Sequence, residues 1–495
     1  LEWSTDIEGN CKNEGGSSAL VFLMPCVRME PGGDLVKAWE RSYQMRKAAR
    51  PTPKAKTHWD EAVVVDLFPE TLAKTLWKST VPGSNAPESL ILGAVQAVEN
   101  MGKDVADAET LLEEGFEALH EGNVRKLKAL TLLIFHSLSK AKEIPEHPYH
   151  RFQRPLRWEE ISAGFPTIAF DPPENPLKRI YGGWLGQIAG ASMGTALEGY
   201  LHDALVETYG DHLGYYVGEV TTYNDDITYE LALMEAVKEK GPGVSSVDIA
   251  LKWIEMIPFG WSAELVALEN LRRGILPPES GRFNNPFQEW IGAQMRTMVC
   301  GLLYPGKPKE AARLAFLDSQ ISHSGNGIYG GIHSAVLTSL AFVIHDAREV
   351  LQQSVDYVPE GSEFRHYLEL VLNWCENAQN WEEVMEKAYQ EFKRYNWIHV
   401  YPNMAAVVTG LWFGKGDFDE TMKIIASFGY DVDCNAGEAG TVLGVILGKD
   451  GIPKHWTKPI QDELRTYLPG FENLSISQLA RTTMELSQIL GGDTK

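Results

Sequence analysis

Residues 183–194 read Gly-Trp-Leu-Gly-Gln-Ile-Ala-Gly-Ala-Ser-Met-Gly, so Gly183, Gly186, Gly190 and Gly194 are spaced 3, 4, 4. Residues 437–448 repeat that spacing with Gly437, Gly440, Gly444 and Gly448. A third segment carries Gly331, Ser334, Thr338 and Ala341. Steps of three and four put each set on one face of a helix. Glycine inside a helix costs about 1 kcal/mol against alanine, so a glycine stripe needs a compensating gain. Close approach of two helix axes supplies one. The stripes speak for packing, not chemistry, and they imply a tight helical core. Runs of alternating Val, Ile and Thr, which would mark strands, are almost absent. The expected fold class is all-α, a compact multi-helix globule with a helical N-terminal extension.

Outward from the stripes, the texture changes twice. Residues 143–178 hold seven prolines and little periodicity, which reads as a linker or wrapping segment. Before it, Val105, Ala108, Leu112, Phe116 and Leu119 line one helix face. Val124, Leu127, Leu130, Ile134 and Leu138 line another, with Asn123 placed as its N-cap. The expected organisation is a helical accessory region at 1–150, a Pro-rich segment at 151–179 and the main domain at 180–495. A homo-oligomer through the N-terminal region is a further expectation.

The chain of 495 residues carries a formal net charge of −22. No basic stripe offers a phosphate footprint, which argues against nucleic-acid binding. The most basic stretch, 46–56, contains two prolines and reads as a solvated linker. No apolar run approaches the roughly 20 residues of a membrane span, and the one from Ala19 to Pro25 is short and lacks a basic flank. Five scattered cysteines without CxxC spacing favour a reducing compartment. The expectation is a cytoplasmic protein without membrane attachment.

Three segments carry residue types suited to chemistry. Thr221-Thr222-Tyr223-Asn224-Asp225-Asp226 precedes a helical pattern, and neighbouring side chains on a helix diverge by roughly 100°. Two adjacent aspartates can therefore reach two cations, or one cation and its water. Gly429-Tyr430-Asp431-Val432-Asp433-Cys434-Asn435 precedes the second glycine stripe. Its Asp-x-Asp pattern suits an oxygen-seeking cation. Helix capping explains either segment equally well when taken alone. Convergence of both would need divalent cations to offset the repulsion, and hard oxygen ligands favour Mg²⁺, Mn²⁺ or Ca²⁺ over zinc. The third segment, Ser322-His323-Ser324-Gly325-Asn326-Gly327-Ile328-Tyr329, is a glycine-rich loop before a helix. Its backbone N–H groups can hold phosphate, although such a loop is commonly only a turn.

Taken in order, these segments and the glycine-striped opening helix resemble the ADP-ribosylglycohydrolase family, which includes the dinitrogenase reductase activating glycohydrolases and the ADP-ribosyl-acceptor hydrolases. The resemblance spans roughly 180–448 and includes Trp290-Ile291-Gly292-Ala293-Gln294-Met295-Arg296 and the stretch from Asn396 to Asn403, which point to a bacterial-type branch. It implies an all-α globule with two Mg²⁺ or Mn²⁺ ions in a cleft. The implied ligands are Asn224, Asp225, Asp226, Asp431, Asp433 and Cys434. Glu198, after the opening helix, falls where some members place a cleft glutamate, so the implied catalytic set is Glu198, Asp225, Asp226 and Asp433. The loop implies substrate contacts from His323, Gly325, Asn326, Gly327 and Tyr329, with Asn403 added from the later segment. The sequence departs from the family at Asn224 and Cys434, where hydroxyl residues are usual, and at Ile227, where threonine is usual.

The expected activity is metal-dependent hydrolysis of a ribosyl glycosidic bond in a small-molecule or ADP-ribosylated substrate. Metals would orient the ribose hydroxyls and position a water, and carboxylates would stabilise an oxocarbenium-like state. Two alternatives stand beside it. One is a hydrolase of small nucleosides or other N-glycosides at the same site. The other is a catalytically silent ribose- or ADP-ribose-binding module.

Overall fold

The computed structural model describes residues 37–50 and 66–492. Cys11, Cys26, the Ala19–Pro25 run and residues 51–56 of the basic stretch lie outside the described residues. Two compact units divide the chain, Leu1–Asp66 and Leu67–Lys495. In the first, the helix Ala38–Ala48 is the described element. It buries no side chain, and Glu40 accepts from the Lys37 N–H at its start.

The second unit is all-α. Its described strands are two short antiparallel pairs, Ser79–Thr80 with Pro87–Glu88 and Glu463–Arg465 with Asn473–Ser475. Many helix starts are set by local side chains. Asn123 Oδ1 accepts from the Lys126 N–H at 3.1 Å and opens Val124–Lys140, as its sequence suggests. Ser245 and Asp248 form a capping box before Ser246–Met256. Such caps satisfy N–H groups that would otherwise lack partners.

The helix Ala106–His120 shows how packing modifies a sequence stripe. Gly115 and Ala118 are buried, whereas Phe116 is 37% exposed. The Trp77 ring occupies the space a Gly115 Cβ would need, and Phe116 lies edge-on against that ring at 5.3 Å. Helices from 67–150 belong to the same compact unit as the rest. Gln96 donates to the Arg394 carbonyl at 2.9 Å and Tyr149 Oη donates to Glu289 Oε1 at 3.0 Å.

At the centre, Pro176–Gly194 lies along Val432–Leu447. Both are buried on nearly every side. The contact uses Gly182, Gly186 and Gly190 on one helix. An added Cβ on these three would collide with the Gly444, Gly440 and Ala436 carbonyl oxygens respectively. At the start of the stripe the closest approach falls on Gly182; a Cβ on Gly183 would meet side chains instead, Leu302 at 2.7 Å and Val445 of the partner helix at 3.1 Å. Four-residue steps match the rows of side chains that let two helices interdigitate, and missing Cβ atoms bring backbone against backbone. The third small-residue segment runs along Asn326–Leu340, which is buried along its whole length, and ends at Ala341 just past it.

Candidate functional site

The paired central helices end at one place. Pro176–Gly194 delivers Glu198 just past its C-terminus, and Val432–Leu447 starts there with Asp431 and Asp433. At Gly194 an added Cβ would run into the Asp433 backbone, so the glycine contact itself sets the distance between Glu198 and the Asp-x-Asp segment. The turn into Asp431 is strained. Gly429 and Tyr430 have φ of 75° and 64°, and such a φ is unusual for a bulky residue like tyrosine. Tyr430 is held by its N–H to the Tyr200 carbonyl (3.1 Å) and by the Gly199 N–H to its own carbonyl (2.8 Å).

The second acidic segment enters from Asp226–Lys240. Here the capping explanation fails for the aspartates. Neither Asp225 nor Asp431, each at an N-cap position, caps with its side chain. Asn224 does that work instead, its Oδ1 accepting the Asp226 N–H at 2.8 Å. The Asn224 amide also joins the two segments, with Nδ2 donating to Asp433 Oδ2 at 3.3 Å. Cys434 Sγ lies 3.6 Å from Asp226 Oδ1 and 3.9 Å from Met295 Sδ. Ligand atoms of Asp431, Asp433 and Cys434 fall within 4.8 Å of one another. Segments 208 residues apart therefore meet in one cluster.

The cluster is built for positive charge that no side chain provides. Asp226, Asp431, Asp433 and Glu198 are buried, and among the described residues no lysine or arginine pairs with them or with Asp225. Asp226 Oδ2 and Asp431 Oδ1 are buried without a hydrogen-bond partner. Burial first, and then mutual repulsion, raises Glu198, Asp226 and Asp431 well above the usual carboxylate range. Asp225 still meets solvent at the mouth; loss of surrounding water and then the Asp433 charge push it up to about 6. Orphaned hard oxygens in a crowded acidic pocket fit a divalent cation.

This charge state fixes a pH dependence. A raised carboxylate keeps its proton in the fold after the unfolded chain has lost its own, so stability falls as pH rises toward the folded value. Glu264 and Glu438, pushed by burial to about 7, and Glu363, pushed to about 8, act in the same direction. The buried His323, His333 and His399, all lowered by burial, oppose it only below about pH 6.5, where an unfolded histidine charges. In chelator, the melting temperature should therefore decline from pH 6.5 to 8.5. Each group still protonated only in the fold contributes about 1.4 kcal/mol per pH unit. Mg²⁺ or Mn²⁺ should restore stability, more at pH 8.5 than at 6.5, because deprotonated ligands bind the metal. Calorimetric melts across that range check it; a flat or rising chelator profile contradicts a proton-holding cluster.

The remaining sequence candidates sit behind the cluster. Asn403 is fully buried, and its amide is engaged by protein. Its Oδ1 accepts from the Asp431 N–H (3.2 Å) and from Asn435 Nδ2 (2.8 Å), and its Nδ2 donates to the Trp397 and His399 carbonyls. It braces the Asp-x-Asp turn. The glycine-rich loop is enclosed as well. Asn326 donates to Glu289 at 2.9 Å and Tyr329 Oη donates to the Pro155 carbonyl at 2.6 Å. Gly325 and Gly327 pack on Glu289 and on the Gln288 carbonyl. The Pro-rich segment thus lies against this loop. His323 is buried, with Nδ1 at 2.7 Å from Ser322 Oγ and Nε2 without a partner.

One buried network ties this loop toward the cluster, and it has no short-range sequence signal. Arg296 donates to Asp318 Oδ2 (2.6 Å), Glu264 Oε1 (2.8 Å) and Ser322 Oγ (2.9 Å), joining three separate segments. Its guanidinium also lies 4.8 Å from the Trp253 ring centre. Glu264 and Asp225 feel each other's charge. A fully used guanidinium of this kind holds its partners in one geometry.

The all-helical core thus brings the ends of its two central helices to one buried carboxylate cluster. Residues 172–488 match the family model described as ADP-ribosylglycohydrolase, and the chain belongs to that family. The family is generally hydrolytic and typically dependent on divalent metal. Among solved structures, a chain described as an "ADP-ribosylglycohydrolase-related protein complex" is similar, at 18% identity and a TM-score of 0.46, covering 64% of this chain and 99% of its own. No curated protein matches. Among the described residues no helix is long and apolar enough to cross a membrane.

Proposed function

We propose that this chain is a divalent-metal-dependent hydrolase that cleaves a ribosyl glycosidic bond in an ADP-ribosyl compound. The observation that carries the reading is the convergence of Asp225, Asp226, Asp431 and Asp433 with two buried carboxylate oxygens left unpartnered. These four would hold Mg²⁺ or Mn²⁺, with Asn224 and Cys434 at the edge of the ligand set. Bound there, the ions would supply positive charge for ribose hydroxyls and for a water. The chain's own part is separate. Asn224 keeps the two acidic segments in register, and Asn403 aims Asp431. Glu198, raised by burial and by its carboxylate neighbours in the metal-free protein, would be ionised once cations offset those charges. It would take a proton from the attacking water as the water oxygen bonds to the anomeric carbon, and pass it to the leaving atom, which departs with the electron pair of the broken bond. The carboxylates around it favour the oxocarbenium-like charge that develops.

The test is a metal-supplemented hydrolysis screen of ADP-ribosylated peptides beside free nucleosides. Release of ADP-ribose is the expected result. Release of free base or ribose from nucleosides alone would reassign the substrate class. Binding without product would mark a silent module.

Cys434 yields a sharper expectation. Sulfur is a poor partner for Mg²⁺, which demands oxygen at about 2.1 Å. A Cys434→Ser protein should bind Mg²⁺ more tightly and reach full turnover at lower metal, by several-fold in each. Its hydroxyl keeps a donor for Asp226 Oδ1. Unchanged metal affinity with a lower melting temperature would show Cys434 to be a core residue, whose replacement buries an unsatisfied hydroxyl at a cost of roughly 1–3 kcal/mol.

A further inference from the structure

The turn that carries Glu198 is gripped from two sides. On one side stands the Asp-x-Asp turn, where Tyr430 exchanges backbone hydrogen bonds with Gly199 and Tyr200. On the other stands the hairpin formed by Ser79–Thr80 and Pro87–Glu88. Its loop closes on itself. The Val81 N–H donates to the Ala86 carbonyl (2.9 Å), the Asn85 N–H to the Val81 carbonyl (3.0 Å) and the Ala86 N–H to Ser84 Oγ (3.1 Å). Three contacts join that loop to the Glu198 turn. A Cβ on Gly83 would strike the Thr195 side chain and carbonyl, and a Cβ on Gly199 would lie 2.6 Å from the Ala86 Cβ. Tyr200 Oη donates to the Ser84 carbonyl at 3.1 Å. The base of the hairpin is tied as well, both Glu88 oxygens accepting from Trp261 Nε1 at 3.1 and 3.0 Å.

We propose that hairpin 79–88 is a positioning element for Glu198, with Gly83 and Ala86 fixing the turn that presents the acid. The hairpin lies outside the stretch that matches the family, residues 172–488, whereas Glu198 and the aspartates of the cluster all lie within it. The N-terminal region therefore supplies part of the frame of the site. The turn needs such a frame. Glu198 follows the end of Pro176–Gly194 and precedes Gly199, whose φ of 80° puts the most pliable residue type beside the acid. The loop touches the turn on both sides of Glu198, at Thr195 before it and at Gly199 and Tyr200 after it. A group that must meet a water in one geometry loses rate steeply when it is displaced. The proposal rests on the role given to Glu198 in the proposed function, but the hold on the turn can be read without turnover.

The test uses the full chain with Mn²⁺ and two variants. Ala86→Val adds bulk where the fully buried Ala86 meets Gly199, at a position before proline whose favoured extended backbone valine accepts. Tyr200→Phe keeps the ring and loses only the hydroxyl on Ser84. In both, the Gly199 and Tyr430 amides should exchange hydrogen faster, while those of Val124–Lys140 keep their rates. With an ADP-ribosylated peptide, Ala86→Val should lower kcat by up to about 100-fold at unchanged KM, and Tyr200→Phe should lower it less. In Glu198→Gln protein the same changes should have no further effect on residual turnover, because they act through one group. Leu127→Ala, a core change elsewhere in the N-terminal region, should lower the melting temperature and leave kcat unchanged. Unchanged exchange at Gly199 and Tyr430 in both variants, or an equal kcat loss with and without Glu198, would overturn the proposal. Ribosyl hydrolysis that both variants perform like the parent would overturn it and leave the proposed function standing. Faster exchange in a protein that hydrolyses no ribosyl compound would uphold the hairpin's grip and overturn the proposed function.

Discussion

Asp433→Asn protein is expected to remain folded, to lose divalent-cation binding and to lose turnover by at least about 100-fold. Asp433 is the hub of the cluster. It hydrogen-bonds to Glu198, accepts from Asn224 Nδ2 and from the Cys434 N–H, and contributes repulsion to Asp225, Asp226 and Asp431. Removing outer partners of a metal ligand already costs 10- to 100-fold in affinity or activity, and a carboxylate placed to touch the ion should exceed that. Stability should move the other way. The substitution keeps the shape and removes one charge from a crowded pocket, so the chelated variant should melt at or above the chelated parent. Calorimetric melts with and without Mn²⁺, beside turnover, read both effects. A variant that is destabilised in chelator and still binds Mn²⁺ would mean that Asp433 is a structural hydrogen-bonding residue.

What the sequence made legible follows physical range. The acidic segments could be found because their chemistry is local: two aspartates on successive helix positions, and Asp-x-Asp before a helix. Whether they capped those helices could not be read, because that depended on where Asn224 turned its amide. Capping by Asn224 Oδ1 is the outcome that frees both Asp225 and Asp226. The Arg296 network was illegible for a different reason. Glu264, Arg296 and the Asp318–Ser322 turn come from three segments, and no periodicity links them. The family resemblance implies that Asn403 and Asn326 contact substrate, but sequence does not distinguish an amide that meets ligand from one that ties turns together.

Gly190→Ala is expected to cost about 3 kcal/mol or more, whereas Gly437→Ala should be neutral or mildly stabilising. Both glycines belong to the stripes that identified the fold, and composition treats them alike. Geometry does not. A Cβ on Gly190 collides with the Ala436 carbonyl, which is helical backbone and cannot rotate away, so the helices must separate. Overpacking against side chains typically costs 1–3 kcal/mol, and rigid backbone offers less relief. A Cβ on Gly437 meets its nearest atoms at 3.7 Å, an ordinary contact, and alanine then returns up to about 1 kcal/mol of helix propensity. Thermal melts of the two variants check the contrast; equal losses would mean that the close helix contact is not what the glycines secure. The same contact bears on function at its last position. A Cβ on Gly194 would push against the Asp433 backbone itself, separating Glu198 from Asp433. Gly194→Ala should therefore lose more Mn²⁺ affinity for a given drop in melting temperature than Gly186→Ala, whose collision lies two turns from the cluster. The tight helix pair and the carboxylate cluster are in this sense one structure, with the packing of its last glycine fixing the spacing of the acids.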